Sequence, residues 1–339
     1  MASPPLLFDL TGRGAVVLAG RDRASFLHGL VTNDVRKLTP GTGCAAAFLA
    51  PKGKLLADCV VLCEEDRLEI DCEPELSGKI EDLLRKYLVF NDVQIGNETA
   101  ANHVFHLTGD SPGDAAEDLL RRGIGGMGLG EPPSIPQPAH YHAAISGAAA
   151  GGAPPMRAAE GGAIRIVREN RTGVPGYDIR CPSSLSEEVR RAFLLAGARP
   201  SSDADLESLR IEAGIPRWGS ELTEAVLPDE AGLRERGFIS ETKGCYVGQE
   251  TVARIKTYGH VNRNLVRLLL EGDPPPPGSE IFFEEEKAGA VTSAARTSTS
   301  RPATALGYVK RERAAPGTRL LVRTEEGDRP ATVAVPPSS

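Results

Sequence analysis

The chain has 339 residues, more than one small core usually serves, so two or three packed lobes are expected. Its 40% hydrophobic and 25% charged residues are those of an ordinary globular protein, and no apolar run approaches the roughly 20 residues that span a bilayer, which argues against a membrane protein. A formal net charge of −7 argues against a non-specific nucleic-acid coat, and Met1–Leu10, which has no basic region and carries Asp9, lacks the look of a leader, so the cytoplasm is the expected compartment.

In chain order, Gly14–Gly20 (GAVVLAG) reads as a strand, and Asp22 is placed to cap a short helix with Phe26, Leu27 and Leu30 on one side. Cys44–Cys63 reads as a hairpin with Pro51, Lys52 and Gly53 at the turn, and Arg67–Cys72 as a further strand. Leu76, Ile80, Leu83, Leu84 and Tyr87 recur at helical spacing over Glu75–Leu88. Hairpins interrupt the alternation of strand and helix, so the fold class is α+β and not a doubly wound sheet.

From 111 to 162 the composition turns to Gly, Ala and Pro and reads as an insertion with little core of its own. Its GIGGMG (Gly123–Gly128) has the form of a dinucleotide loop. Helix-like DLLRR precedes it and proline-rich sequence follows, the reverse of the strand and helix that such a loop needs. Ala163–Asn170 is a predicted strand. Ser184 and Glu187 form a capping-box pattern before a helix with Val189, Phe193 and Leu194, ended near Gly197. Another helix is expected over Asp205–Ala213, closed by Gly214 and Pro216. Beyond Val261, five short strands separated by Gly/Pro turns (RNLVRLLL, EIFFEE, AGAVTSAAR, ALGYVKR and RLLVRT) predict a small antiparallel β-barrel.

The six cysteines, Cys44, Cys59, Cys63, Cys72, Cys181 and Cys245, form no C-x-x-C pair. Their spacing fits neither a disulfide framework nor a zinc or cluster site, and Cys59 and Cys63 fall on one strand face as small buried hydrophobes. His103, His106, His140 and His142 suggest no metal site either.

The chemistry concentrates in Glu241–Arg254, ETKGCYVGQETVAR. Gly244 and Gly248 allow turns and close approach of the backbone to a flat ligand. Lys243 and Arg254 bring positive charge toward Cys245, which favours a thiolate there. Tyr246 offers a ring for stacking, and Gln249 and Glu250 carry the acceptors and donors that an aminopyrimidine edge requires. The alternative is a structural turn between strand and helix, with its cysteine buried and its charges in solvent.

Lys243–Glu250 with Arg254 resembles K-G-C-[FY]-x-G-Q-E-x-x-x-R, the hallmark of the YgfZ family, whose relatives include the glycine-cleavage T-protein. FLHGLVTNDV (Phe26–Val35) is similar to that family's F-L-x-G-x-x-T-N-D-V element, and PKGKLLAD (Pro51–Asp58) to its P-x-G-x-x-x-x-D hairpin. LRKYLVFNDVQI, SLRIEAGIPRWGSEL and VTSAAR…ALGYVKR follow in the expected order, so the resemblance runs from about residue 8 to about residue 325 and skips the insertion.

The resemblance implies a three-lobed aminomethyltransferase-like fold. Residues 1–110 and 163–258 would form the folate-binding region, 111–162 the insertion and 259–335 the barrel. Tetrahydrofolate is the implied cofactor, with Cys245 and Asp58 as the chemically active residues. Lys243, Tyr246, Gln249, Glu250, Arg254 and Asn33 would surround the folate, although Asn33 and Asp34 also read as a turn after a helix. Iron–sulfur enzymes or their assembly proteins are the implied partners, with an indirect effect on tRNA modification, no direct contact with nucleic acid and no membrane.

The departures from the transferase pattern matter as well. Arg171–Arg180 (RTGVPGYDIR) lacks the Glu with which transferases contact the pterin, and Leu206 stands where they carry an arginine. Folate binding without aminomethyl transfer is therefore the expectation. The alternatives are a folate-dependent one-carbon transferase using Asp58, and a docking module with no ligand.

Overall fold

A computed structural model describes residues 4–109, 157–158, 164–174, 176–296 and 302–335. The strands are β1 (Leu6–Asp9), β2 (Gly14–Ala19), β3 (Thr42–Leu49), β4 (Leu55–Cys63), β5 (Arg67–Cys72), β6 (Gln94–Asn97), β7 (Asn102–Thr108), β8 (Arg157–Ala158), β9 (Arg165–Glu169), β10 (Gly176–Pro182) and β11 (Arg199–Ser201). After these come β12 (Arg263–Leu270), β13 (Glu280–Phe283), β14 (Glu286–Ala295), β15 (Ala303–Lys310), β16 (Arg319–Thr324) and β17 (Gly327–Val333). The helices are α1 (Arg23–His28), α2 (Ser77–Tyr87), α3 (Ser186–Ala196), α4 (Asp203–Glu212) and α5 (Gln249–Tyr258).

Two compact units share the chain. The first comprises Met1–Phe48, Ala57–Asp203 and Gly237–Val247, and the second Leu49–Leu56, Ala204–Arg236 and Gly248–Ser339. The expected boundary at 258/259 differs from this division, because the hairpin tip and residues 204–236 group with the barrel. The expected insertion, with its GIGGMG and with His140 and His142, lies outside the described residues apart from β8.

The first unit holds a sheet in the order β3-β4-β5-β2-β6 and another in the order β11-β1-β7-β10-β9-β8. β7 pairs antiparallel with β1 and β10, β9 with β8 and β10, β2 with β5 and β6, and β4 with β5, while β1 and β11 run parallel. Strand alternation gives each sheet one apolar and one charged face. Val16, Leu18, Leu68 and Ile70 are buried on the side that α2 covers with Ile80 and Leu84. In the six-stranded sheet, Leu7, Phe105, Tyr177 and Ile179 pack with Val189 and Phe193 of α3.

The opposite faces meet through ion pairs. Asp71 lies across from Ala15 and Val60 in register, and Glu69 across from Val17 and Leu62. Arg180 of β10 donates to both, at 2.6 Å to Glu69 and 2.7 Å to Asp71. Arg165 of β9 reaches Glu69 at 2.6 Å, and Arg171 reaches Asp178 at 2.5 Å.

In the second unit β12-β15-β14-β13-β16-β17 close into a barrel around an apolar core that includes Leu268, Ile281, Val291, Val309 and Val322. Five of these strands match the sequence expectation. β17 is the one missed, since Pro330 interrupts a polar run and lowers its strand signal.

Two expected caps form differently. Asp22 holds the N-cap position of α1, but its carboxylate accepts the Asp92 N–H at 2.8 Å and not a helical N–H. A 3₁₀ turn over Ser183–Leu185 displaces the Ser184/Glu187 box, and Glu187 pairs with Arg190. Gly197 does end α3, in the left-handed conformation at φ 108°.

Candidate functional site

Two segments more than 200 residues apart in the chain are laced together in the first unit. Thr32 Oγ1 donates to Phe238 O at 2.6 Å and accepts the Ala47 N–H at 2.8 Å. The Asn33 amide donates to Ala45 O and Gly237 O, both at 2.8 Å, while its Oδ1 accepts the Asp34 N–H. Ser240 N–H returns a bond to Thr32 O at 3.0 Å. Asn33 thus braces the backbone of two other segments, besides its local bond to Asp34.

Lys243 completes the lacing. Its ammonium donates to His28 O at 2.6 Å, to Asn33 O at 3.1 Å and to Val31 O, which uses its three protons on carbonyls at and just beyond the end of α1. Of these, the His28 carbonyl lies at the negative end of α1, where a cation is favoured. Burial lowers the Lys243 pKa to about 8, with the Asp34 carboxylate opposing that shift. The ammonium also lies 4.8 Å from the centre of the Tyr246 ring. Val247 N–H then donates to Gly29 O at 3.3 Å, so the K-G-C loop is tied down on both sides of Cys245.

Cys245 is the exposed thiol of the chain. Cys59, Cys63, Cys72 and Cys181 are buried and Cys44 is half-buried. Burial pushes Cys44 up to about 12 and Cys181 up to about 11, which keeps both as inert thiols.

His28, absent from the expected site, lies against this loop. A Cβ placed on Gly244 would be 4.0 Å from His28 Nε2, and His28 Nδ1 lies 3.1 Å from Asp34 Oδ1. In sequence, His28 occupies a variable position of the F-L-x-G element, so no motif draws attention to it.

Asp58 sits on the charged face of β4, half-buried, with Arg13, Asp71 and Glu73 as its charged neighbours. Burial, together with the Glu73 carboxylate, raises its pKa to about 7 against the opposing pull of Arg13. Its Oδ1 has no hydrogen-bond partner among the described residues. Asp71 shows the contrast. Burial would raise it too, but Arg13, Arg180 and Arg171 hold it far below the usual carboxylate range.

Gln249, Glu250 and Arg254 belong to the second unit, on α5. Gly248 enters that helix at φ 84°, and a Cβ there would meet Ala50 O at 2.5 Å. Gly53, at φ 78°, makes the same close approach to the Thr251 side chain. The expected Pro51–Gly53 turn is thus a seat for the first turn of α5. Glu250 and Arg254 are exposed on that helix, and Gln249 is half-buried.

Similarity to known proteins follows this architecture. Residues 263–338 match the family of the glycine cleavage T-protein C-terminal barrel domain. Across nearly its whole length, 99%, the chain superposes on 86% of the aminomethyltransferase T of the glycine cleavage system from Bartonella henselae, with a TM-score of 0.81 at 19% identity. The fold is that of an aminomethyltransferase. At 29% identity, 94% of the chain also aligns with 68% of a chloroplastic protein of Arabidopsis thaliana named as a candidate transferase. Aminomethyltransferases of Thermosynechococcus vestitus and a Nostoc species are 26% and 25% identical, each over 96% of this chain and 82% of the relative. Within the aminomethyltransferase fold, Asn33, Asp58, Lys243, Cys245 and Tyr246 all lie in the first unit. No helix among the described residues is long and apolar enough to cross a membrane.

Proposed function

We propose that this protein binds tetrahydrofolate in the manner of the YgfZ group and supports enzymes that carry iron–sulfur clusters, with any effect on tRNA modification passing through those enzymes. The observation that carries this reading is the locked K-G-C loop. Lys243 spends its charge on backbone carbonyls, and the result is a single thiol, Cys245, presented to solvent on a fixed backbone. A structural cysteine would be buried like Cys59.

The residues present fit a folate. Asp58 offers an unpartnered carboxyl oxygen, and with a pKa of about 7 the group can either donate to or accept from a pterin edge. Tyr246 supplies an aromatic face, and substitution of Glu250 or Arg254 tests whether α5 takes part. A bound folate would supply a one-carbon carrier. A cluster passing through the protein would need ligands beyond Cys245, which a client protein or small thiols must provide. Six unpaired cysteines suit the reducing cytoplasm.

Cys245→Ala is expected to abolish support of cluster-dependent enzymes in cells while leaving the melting temperature of the purified protein unchanged. Undiminished activity of those enzymes in such a strain would overturn the reading.

One observation favours a second reading, a one-carbon transferase. The raised pKa of Asp58 suits proton exchange with a reacting amine at neutral pH, and named relatives are aminomethyltransferases. Folate-dependent turnover of an amine donor that Asp58→Asn abolishes would establish that reading in its place.

A further inference from the structure

The K-G-C loop and the end of α1 bracket one imidazole. Lys243 holds His28 O, Val247 holds Gly29 O, and between those anchors the chain passes beside the His28 ring at Gly244. His28 is 6% exposed, and its Nε2 has no hydrogen-bond partner among the described residues, the Cys245 thiol included. A buried ring nitrogen left unpaired is costly unless something uses it. The residue that follows Gly244 is the exposed thiol Cys245.

The other ring nitrogen faces a carboxylate. His28 Nδ1 lies 3.1 Å from Asp34 Oδ1, close enough for a charge contact though off the angle of a full hydrogen bond, and Asp34 Oδ2 is 3.3 Å from Lys37 Nζ. Such contacts commonly tighten only when a site is engaged. A carboxylate at Nδ1 favours the tautomer with its proton there and leaves the Nε2 lone pair open.

The charged groups around the ring are Asp34, Lys243, Arg36 and Lys37. Burial first, and then Lys243 and Arg36, outweigh Asp34 and hold the imidazole below its usual pKa, so the ring rests neutral and takes a proton only with an anion alongside to offset that cost, as a thiolate formed in the same step would. Burial would raise Asp34, but Lys37 holds it below its usual value and keeps it ionised.

We propose that His28 Nε2 accepts the thiol proton of Cys245 when the Cys245 side chain turns from solvent toward the ring, with Asp34 as the positioning residue that sets the tautomer of His28. The S–H bond breaks, an N–H bond forms at Nε2, and a thiolate–imidazolium pair results. Two of the motifs that carry the family resemblance, F-L-x-G and K-G-C, are then two halves of one nucleophile. The inference rests on Cys245 being the working residue, and it does not depend on folate.

The test is alkylation of the folded full-length protein by iodoacetamide, without folate, resolved at Cys245 by peptide mass spectrometry as a function of pH. The thiolate sulfur displaces iodide and forms the new C–S bond. His28→Gln keeps the backbone carbonyl that Lys243 needs, and it is expected to slow Cys245 alkylation at neutral pH about tenfold. Asp34→Asn should slow it by about threefold, half of that on a logarithmic scale, and His28→Gln should remove a near-neutral inflection from the pH–rate curve. Equal rates and equal pH profiles in wild type and a folded His28→Gln would overturn the proposal. If that variant fails to fold, the wild-type curve decides. A single inflection at about 8.5, that of an isolated thiol, overturns the dyad, and a near-neutral one supports it. Either outcome leaves the folate reading to a titration with folate.

Discussion

The two interiors of this protein are built on opposite principles. The barrel is filled by side chains such as Leu268, Ile281, Val309 and Val322, all of them fully buried. The facing sheets of the first unit instead enclose Arg180, Glu69, Asp71, Asp178 and His106, buried just as completely. An apolar interior gains stability from each group added, whereas a charged one repays its desolvation only when every member is paired. Among arginines and carboxylates the pKa values separate widely, from a depressed Asp71 to Asp58 and Glu169 at about 7.

That contrast breaks most visibly at Arg180. Arg180→Leu removes the shared partner of Glu69 and Asp71, leaving Glu69 to Arg165 and Asp71 to Arg13 and Arg171, and is expected to cost about 3 kcal/mol in chemical unfolding, the low end for a broken buried pair. Ile281→Val in the barrel removes one methylene from a well-packed core, and about 0.5–1.5 kcal/mol is expected. Equal losses at the two positions would mean that the charged interior is no more demanding than the apolar one.

The pH dependence of stability sharpens the comparison further. Asp58 and Glu169 have folded-state values of about 7, raised first by burial. Unfolded carboxyls titrate at about 4, so between about pH 4 and about pH 7 the folded state holds protons that the unfolded state lacks. Stability from these two groups is complete below the unfolded value and is lost as the pH rises through about 7. Asp71 and Asp178 act in the opposite sense. Burial opposes their ionisation, but arginines hold their pKa values down, so their contribution exists above the unfolded value of about 3.9 and disappears in acid. Melting temperatures across this range should therefore fall toward pH 7 in the wild type and fall less in Asp58→Asn. Identical slopes would contradict the assignment.

Much of this plan is legible in the sequence because it is local. β5 is predicted residue for residue, the Pro51–Gly53 turn is where its residue types place it, and Gly197 stops α3 as a left-handed cap. What escapes is non-local. The partners of Arg180 lie 109 and 111 residues away, and nothing near Arg180 distinguishes it from a solvated strand residue. Thr32–Asp34 and Lys243–Val247 are recognisable as separate motifs, yet their hydrogen-bonded union spans 210 residues, and His28 gains a role only through it. The capping box at Ser184 was a local signal that lost to a 3₁₀ turn.

The central claim is that this aminomethyltransferase-like fold binds folate and presents Cys245 from a locked loop. A calorimetric titration with tetrahydrofolate, paired with thermal shift and repeated on Cys245→Ala and Lys243→Ala, tests it most directly. The account predicts saturable binding by the wild type, stabilisation of about 2.7 kcal/mol at a hundredfold excess over Kd, full binding by Cys245→Ala, and a lower melting temperature for Lys243→Ala as its loop comes loose. Absence of binding at about millimolar ligand, which corresponds to less than about 4 kcal/mol of affinity, would contradict it and leave the fold as a protein-docking module.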